Sequence, residues 1–145
     1  MPKFSIYCFI AIMVYSLMGC SSTHSHKYDT LYHQIGGHEG IEHLVDLFIA
    51  EISRDQQILP YFAKSSVSHF KEGFINHLCD AVGGPCSYEG DSMIDIHTGM
   101  NITEKDFNRV VELLIKAMET AGIDYPTQNK ILKQLAPSRS DIIKI

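Results

Sequence analysis

The sequence predicts an all-α domain, and three observations predict it. No segment alternates polar and apolar residues at period two, the pattern a half-buried strand needs. Four stretches instead carry apolar residues three and four apart, which puts them on one helical face. Glycine, proline and capping side chains fall between those stretches, where helices start and stop. With 145 residues, no internal repeat and no low-complexity domain, the chain has material for a single core.

The first segment, residues 1–19, lies outside that core. Lys3 supplies a positive charge and Phe4 to Leu17 is an almost unbroken apolar run. The run is short for a membrane span and fits a secretory leader. It ends in Leu17-Met18-Gly19-Cys20, which resembles a bacterial lipobox. Cleavage before Cys20 would leave its amine and thiol for acylation, making a lipoprotein held at the membrane and facing the periplasm. Ser21 after the cysteine points to the outer membrane. The alternative is an uncleaved N-terminal anchor. Residues 20–27 are small and polar and read as a tether, and residues 28–145 as the domain. His24 and His26 in the tether are loose copper or nickel ligands at most, and otherwise solvated linker.

Helices follow in order. Ile41 to Ser53 carries Ile41, Leu44, Val45, Phe48, Ile49 and Ile52 at helical spacing, after the break at Gly36-Gly37 and before Asp55 to Pro60. Val67 to Val82 places Val67, Phe70, Phe74, Leu78 and Val82 on one face, with Ser65 or Ser66 as cap and Gly83-Gly84-Pro85 as stop. Thr103-Glu104-Lys105-Asp106 resembles a capping box and opens a helix with Phe107, Val110, Val111, Leu114, Ile115 and Met118 as its stripe, ended by Gly122. A last helix is expected after Pro126, capped by Thr127, carrying Ile131, Leu132 and Leu135 and bent or ended by Pro137.

From Cys20 onward the chain holds eleven Lys/Arg against seventeen Asp/Glu, a net charge of −6. Nucleic acid rewards a basic stripe, so that partner class is excluded. Two cysteines remain in the domain, Cys79 and Cys86. In an oxidising compartment they bridge over Val82-Gly83-Gly84-Pro85 and stiffen it; otherwise they are a buried thiol and an unrelated exposed one. His38-Glu39-Gly40-Ile41-Glu42-His43 looks like a zinc-protease helix, but its histidines are five apart with Gly40 between them, and that motif needs four.

Between the second and third long helices lies Ser92-Met93-Ile94-Asp95-Ile96-His97-Thr98-Gly99-Met100. A neutral imidazole nitrogen is a good iron or zinc ligand. Met93 lies one turn before His97 on the same helical face. A short helix presenting one nitrogen beside apolar contacts suits a flat metallocycle such as haem. A lone histidine in such a run also reads as a packed core residue, and the five phenylalanines Phe48, Phe62, Phe70, Phe74 and Phe107 as the core of a ligand-free bundle.

The surrounding motifs decide between these. Leu31-Tyr32-His33-Gln34-Ile35-Gly36-Gly37 opens the domain, and Tyr61-Phe62 follows midway. Gly83-Gly84-Pro85-Cys86-Ser87-Tyr88-Glu89-Gly90 then leads into the Met93–His97 segment. In this order and spacing the four motifs resemble a truncated haemoglobin, most closely group I, from about Tyr28 to about Ile143. The resemblance implies a shortened two-on-two globin-like sandwich around haem, with His97 as the proximal iron ligand and Phe62 packed on the haem face. It implies that Met93, Ile96, Phe107, Val110 and Leu114 line the proximal side. The second nitrogen of His97 is expected to donate to the backbone carbonyl of Met93. Tyr88 either reaches a haem propionate or is a loop tyrosine packed on a helix end.

The distal side departs from the family pattern. Group I members usually carry Tyr where Ile49 stands, and often Gln where Phe74 stands; Phe70 takes the gate position. The expected distal wall is Ile49, Phe62, Phe70, Phe74 and Leu78, with no hydrogen-bond donor unless His69 or His77 swings inward as donor or sixth ligand. Both of those are expected to be solvent-facing or partly exposed on the helix.

The leading reading is a haem-binding, globin-like lipoprotein that binds a diatomic gas (oxygen, nitric oxide or carbon monoxide). Dioxygenase or peroxidase-like turnover would require an electron donor that no motif here supplies. Two rivals stand beside it: a lipoprotein that stores or passes on haem, and a cofactor-free helical protein that engages another envelope protein.

Overall fold

The computed structural model describes residues 30–144. The leader, Cys20, the tether with His24 and His26, and Tyr28 lie outside the described residues. Among these residues there are helices and no strands, as the sequence predicts. No helix among them is long and apolar enough to cross a membrane.

Helix α1 (Leu31–Gln34) is capped by Thr30, whose side chain accepts from the His33 N–H. Helix α2 (Gly37–Arg54) begins four residues before the expected Ile41. Its first turn is polar and solvent-facing, so the apolar period does not mark it. Gly36 precedes it in the left-handed region, at φ 99°. Gly40 allows α1 and α2 to meet: a Cβ there would lie 1.9 Å from the Ile35 carbonyl oxygen. Backbone cannot yield to such a contact as a flexible side chain can. Gly40→Ala is therefore expected to cost about 2 kcal/mol or more and to lower the melting midpoint by roughly 5–10 °C, measured by circular dichroism. An unchanged midpoint would refute this account of the turn.

A 3-10 helix, Leu59–Phe62, leads to α3 (Val67–Ala81), where the Ser66 side chain accepts from the His69 N–H. Helix α4 (Met93–His97) is capped by Ser92. Helix α5 (Glu104–Thr120) opens with the capping box expected, Thr103 and Asp106 satisfying each other's backbone N–H groups. Helix α6 (Tyr125–Leu135) starts before Pro126, not after it, and its cap is Asp124 rather than Thr127. Proline lacks only an N–H that the first turn leaves unpaired anyway, so it sits inside the helix start. The Asp124 carboxylate accepts from the Thr127 N–H at 2.7 Å, and Thr127 itself is buried. Pro137 does not stop the chain's coiling. It opens a final 3-10 helix, Ala136–Asp141.

Helix α2 is the centre of the molecule, packing on α5 along one side and α3 along another. Ile41, Leu44, Val45, Phe48 and Ile52 of α2 meet Ile75 and Leu78 of α3, Leu113, Leu114, Ala117 and Met118 of α5, and Ile131 of α6. The buried stripe of α5 thus includes Leu113 and Ala117. Phe107, Val110, Val111 and Ile115 are only partly buried. Among the described residues, Phe48 is the one phenylalanine in the core; Phe62, Phe70, Phe74 and Phe107 are half-buried. Phe62, Phe70 and Phe74 pack against the edge of the core and keep part of their rings exposed. Short α4 packs against the C-terminal 3-10 helix. That helix is held in turn by Arg139 over the Phe107 ring (5.8 Å) and by the Lys144 N–H donating to the Ile102 carbonyl (3.0 Å).

Candidate haem site

The wall of the slot is built from two elements. Asp106 fixes the first: it accepts from the Tyr61 hydroxyl (2.9 Å) and the Gln57 amide (2.9 Å), tying the turn that carries Phe62 to the start of α5. Hydrogen bonds from Thr103, Gln57 and Tyr61 bring the Asp106 carboxyl down to about 2. Asp55 holds the same turn from the other end, accepting from the N–H groups of Gln57 and Ile58 and pairing with Arg109 at 2.7 Å. The Arg109 hydrogen bond chiefly lowers the Asp55 carboxyl. The second element is α3, where Phe70, Phe74 and His77 stand four and three residues apart and so share a face.

Together they form an aromatic ladder. Phe62 meets Phe70 edge-on at 4.9 Å, and Phe70 stacks on Phe74 at 5.7 Å. Phe74 leads to His77 at 6.5 Å, and His77 meets Tyr88 edge-on at 5.1 Å. Behind Phe62 and Phe70 lies an apolar cavity of about 70 Å³, lined also by Ile49, Ile52 and Leu59. It has room for a small molecule and none for a macrocycle. Leu78, expected in this wall, is fully buried in the helical core and offers no surface to the slot. Leu114, expected on the proximal side, is likewise core. Met93, Phe107 and Val110 are half-buried, and Ile96 stands 44 % exposed beside His97.

His97 is half-buried on α4. Its Nδ1 lies 2.7 Å from the Met93 carbonyl oxygen. A carbonyl only accepts, so Nδ1 carries the proton and Nε2 keeps its lone pair for a metal. No three His, Cys, Asp or Glu side chains among the described residues gather to hold a metal ion. His38 and His43 both stand exposed on α2. A single imidazole holds iron firmly where the ligand itself brings the remaining donors, and a porphyrin brings four nitrogens. In kind, these residues suit haem: the free Nε2 is an axial donor, and the aromatic ladder is an apolar face for a flat ring.

The loop between α3 and α4 is strapped down. Cys79 and Cys86 form a disulfide, with Cα atoms 5.8 Å apart. Gly84 donates to the Cys79 carbonyl at 2.8 Å, and a Cβ on it would meet the Cys79 sulfur and the Tyr32 ring, each at 2.6 Å. The Tyr88 hydroxyl does not wait for a propionate. It donates to the Asp91 carbonyl at 2.9 Å, and its ring lies where a Cβ on Gly90 would be. Tyr88 therefore closes its own loop, and the glycine two residues on leaves room for it. His69 is exposed and His77 partly exposed, both within the expectation; His77 stands half-buried in the ladder, and burial lowers its basicity against the opposing pull of Asp80. Its spacing from Phe70 and Phe74 was the sequence signal for that placement. The Tyr61–Asp106 bond spans 45 residues and carries no local signal.

Comparison with known proteins agrees with this fold. A family profile described as bacterial-like globin matches residues 30–144. The chain is 32 % identical over 113 residues to the group 1 truncated hemoglobin GlbN of Mycolicibacterium paratuberculosis, covering 78 % of this chain and 83 % of that one. It is 26 % identical to the group 1 truncated hemoglobin of Tetrahymena pyriformis, over 81 % of this chain and 97 % of the other. The crystal structure of the T. pyriformis truncated hemoglobin in its Fe(III) form superposes with a TM-score of 0.77 at 25 % identity, covering 80 % of this chain and 99 % of that one.

Proposed function

From the premise that this chain belongs to the bacterial-like globin family, whose truncated haemoglobins are haem proteins, we propose that it binds a diatomic gas at a haem held by His97. The observation that carries this is the His97 ring, with Nδ1 committed to Met93 and Nε2 left as the donor. When bound, haem iron supplies an open coordination position for a small ligand. The protein's own part is to orient the imidazole, to cover the disc with Phe62, Phe70 and Phe74, and to keep the distal side apolar around Ile49. An apolar wall favours ligands that need no hydrogen bond, so carbon monoxide and nitric oxide are held better than oxygen. The Lys3–Leu17 run and Cys20 support a lipid-tethered protein facing the periplasm, with any redox turnover drawing on a separate electron donor.

The test is an absorption spectrum of the domain from Ser21 onward, refolded with haemin, in ferric and ferrous states, with and without carbon monoxide. The expected result is a Soret band that shifts on reduction and again with carbon monoxide. A protein that is colourless after desalting overturns the proposal.

A further inference from the structure

A porphyrin in this slot presents two faces of apolar ring and one edge carrying two carboxylates. The Phe62–Phe70–Phe74 ladder answers the ring. The carboxylates need donors, because a charge taken from water without a partner is costly. The donor expected from the sequence, Tyr88, has one hydroxyl proton and gives it to the Asp91 carbonyl. Lys71, on the same helix, is drawn back onto α2 by Asp46 (2.7 Å) and Glu42 (3.2 Å). His77 differs from both. It stands at the end of the ladder, half-buried, and neither ring nitrogen bonds to a described residue. Its ring is positioned by Phe74 on one side and the Tyr88 ring on the other. Phe70 and Phe74 occupy the wall nearer Phe62, so His77 sits one turn further along, at the Tyr88 end of the slot.

We propose that His77 is the residue that holds a haem carboxylate, with Tyr88 acting only to position the imidazole. The proposal rests on the haem reading above. A neutral imidazole retains one N–H, so the bond forms without prior protonation, and a carboxylate acceptor makes it a charge-assisted one.

The experiment compares the wild-type domain with His77→Phe, which keeps a ring in the ladder, and His77→Gln, which keeps an N–H donor. Each is loaded with haemin, with haemin dimethyl ester, whose carboxylates are capped, and with iron-free protoporphyrin IX. Loss to an excess of a high-affinity apoglobin is followed by absorbance and, for the iron-free ring, fluorescence. In His77→Phe, haemin and protoporphyrin IX are expected to leave about tenfold faster than from wild type. His77→Gln restores slow release, and the dimethyl ester leaves all three proteins at one rate. Acceleration of haemin and of its ester by the same factor in His77→Phe, relative to wild type, overturns the proposal, as does no change in either. A six-coordinate low-spin spectrum of the wild type that disappears in His77→Phe also overturns it, since the imidazole then goes to iron. Failure of the haem reading itself looks different: the wild type retains none of the three porphyrins.

Discussion

A His97→Gly domain is expected to fold, to lose the ferric Soret band of the wild type at equal haemin concentration, and to regain it when free imidazole is added. The ring stands on a five-residue helix outside the core, so removing it takes no support from the buried contacts among α2, α3 and α5. Far-ultraviolet dichroism should therefore be unchanged. Haem retention should fall by more than ~100-fold, because losing merely an outer partner of a metal ligand already costs about 10–100-fold. Met93→Ala is the informative companion. The Met93 group that fixes the imidazole is its backbone carbonyl, which alanine retains, so ligation survives there. Imidazole rescue of His97→Gly together with intact spectra in Met93→Ala assigns the bond to His97 Nε2. A Soret band that persists in His97→Gly without imidazole refutes it.

How far the sequence revealed this site depends on the distance over which each feature is specified. The α2 stripe, the Thr103–Asp106 capping box and the serine cap of α3 are written within one or two turns and read correctly, whereas of the α5 stripe only Leu114 and Met118 are buried, beside Leu113 and Ala117. The His97–Met93 bond is an i, i+4 relation and was legible for the same reason. Bounds failed where polarity or proline broke the apolar period: the solvent-facing first turn of α2, and the start of α6 ahead of Pro126. Leu78 and Leu114 carry the right spacing for a slot face but fall on the core side, because spacing alone fixes a face only to within a residue or so around the helix. The Asp106 hub and the use of the Tyr88 hydroxyl by Asp91 arise from tertiary placement and loop closure, which no periodicity records. His77 falls between these cases. Its helical spacing put it in line with Phe70 and Phe74, but only the Tyr88 ring beside it shows that the position is covered.

Placing a donor on the distal wall is expected to change oxygen release more than any other single substitution there. The aromatic wall of Phe62 and Phe70 carries no donor of its own: Ile49, Ile52 and Leu59 line the cavity behind them, and of the two hydroxyls that border it Ser53 donates to the Ala50 carbonyl at 2.8 Å and Ser65 stands exposed at the rim. His77 lies at the far end, beside Tyr88. Oxygen at haem iron draws electron density and gains from an N–H or O–H donor, whereas carbon monoxide gains little. A hydrogen bond to such a charged acceptor is worth about 1.5–3 kcal/mol, or roughly ten- to hundredfold in rate. Ile49→Tyr supplies the hydroxyl, and the cavity of about 70 Å³ beside Ile49 leaves space for the larger ring to settle without displacing Phe48 from the core. Oxygen dissociation, measured by stopped-flow mixing of the oxygenated protein with carbon monoxide, should therefore be fast in the wild type and slower by that factor in Ile49→Tyr, while carbon monoxide dissociation stays within about threefold. Slow wild-type oxygen release that Ile49→Tyr leaves unaltered would mean that a donor already reaches the ligand. The apolar wall seen around Ile49, Phe62 and Phe70 would then not be what the gas meets.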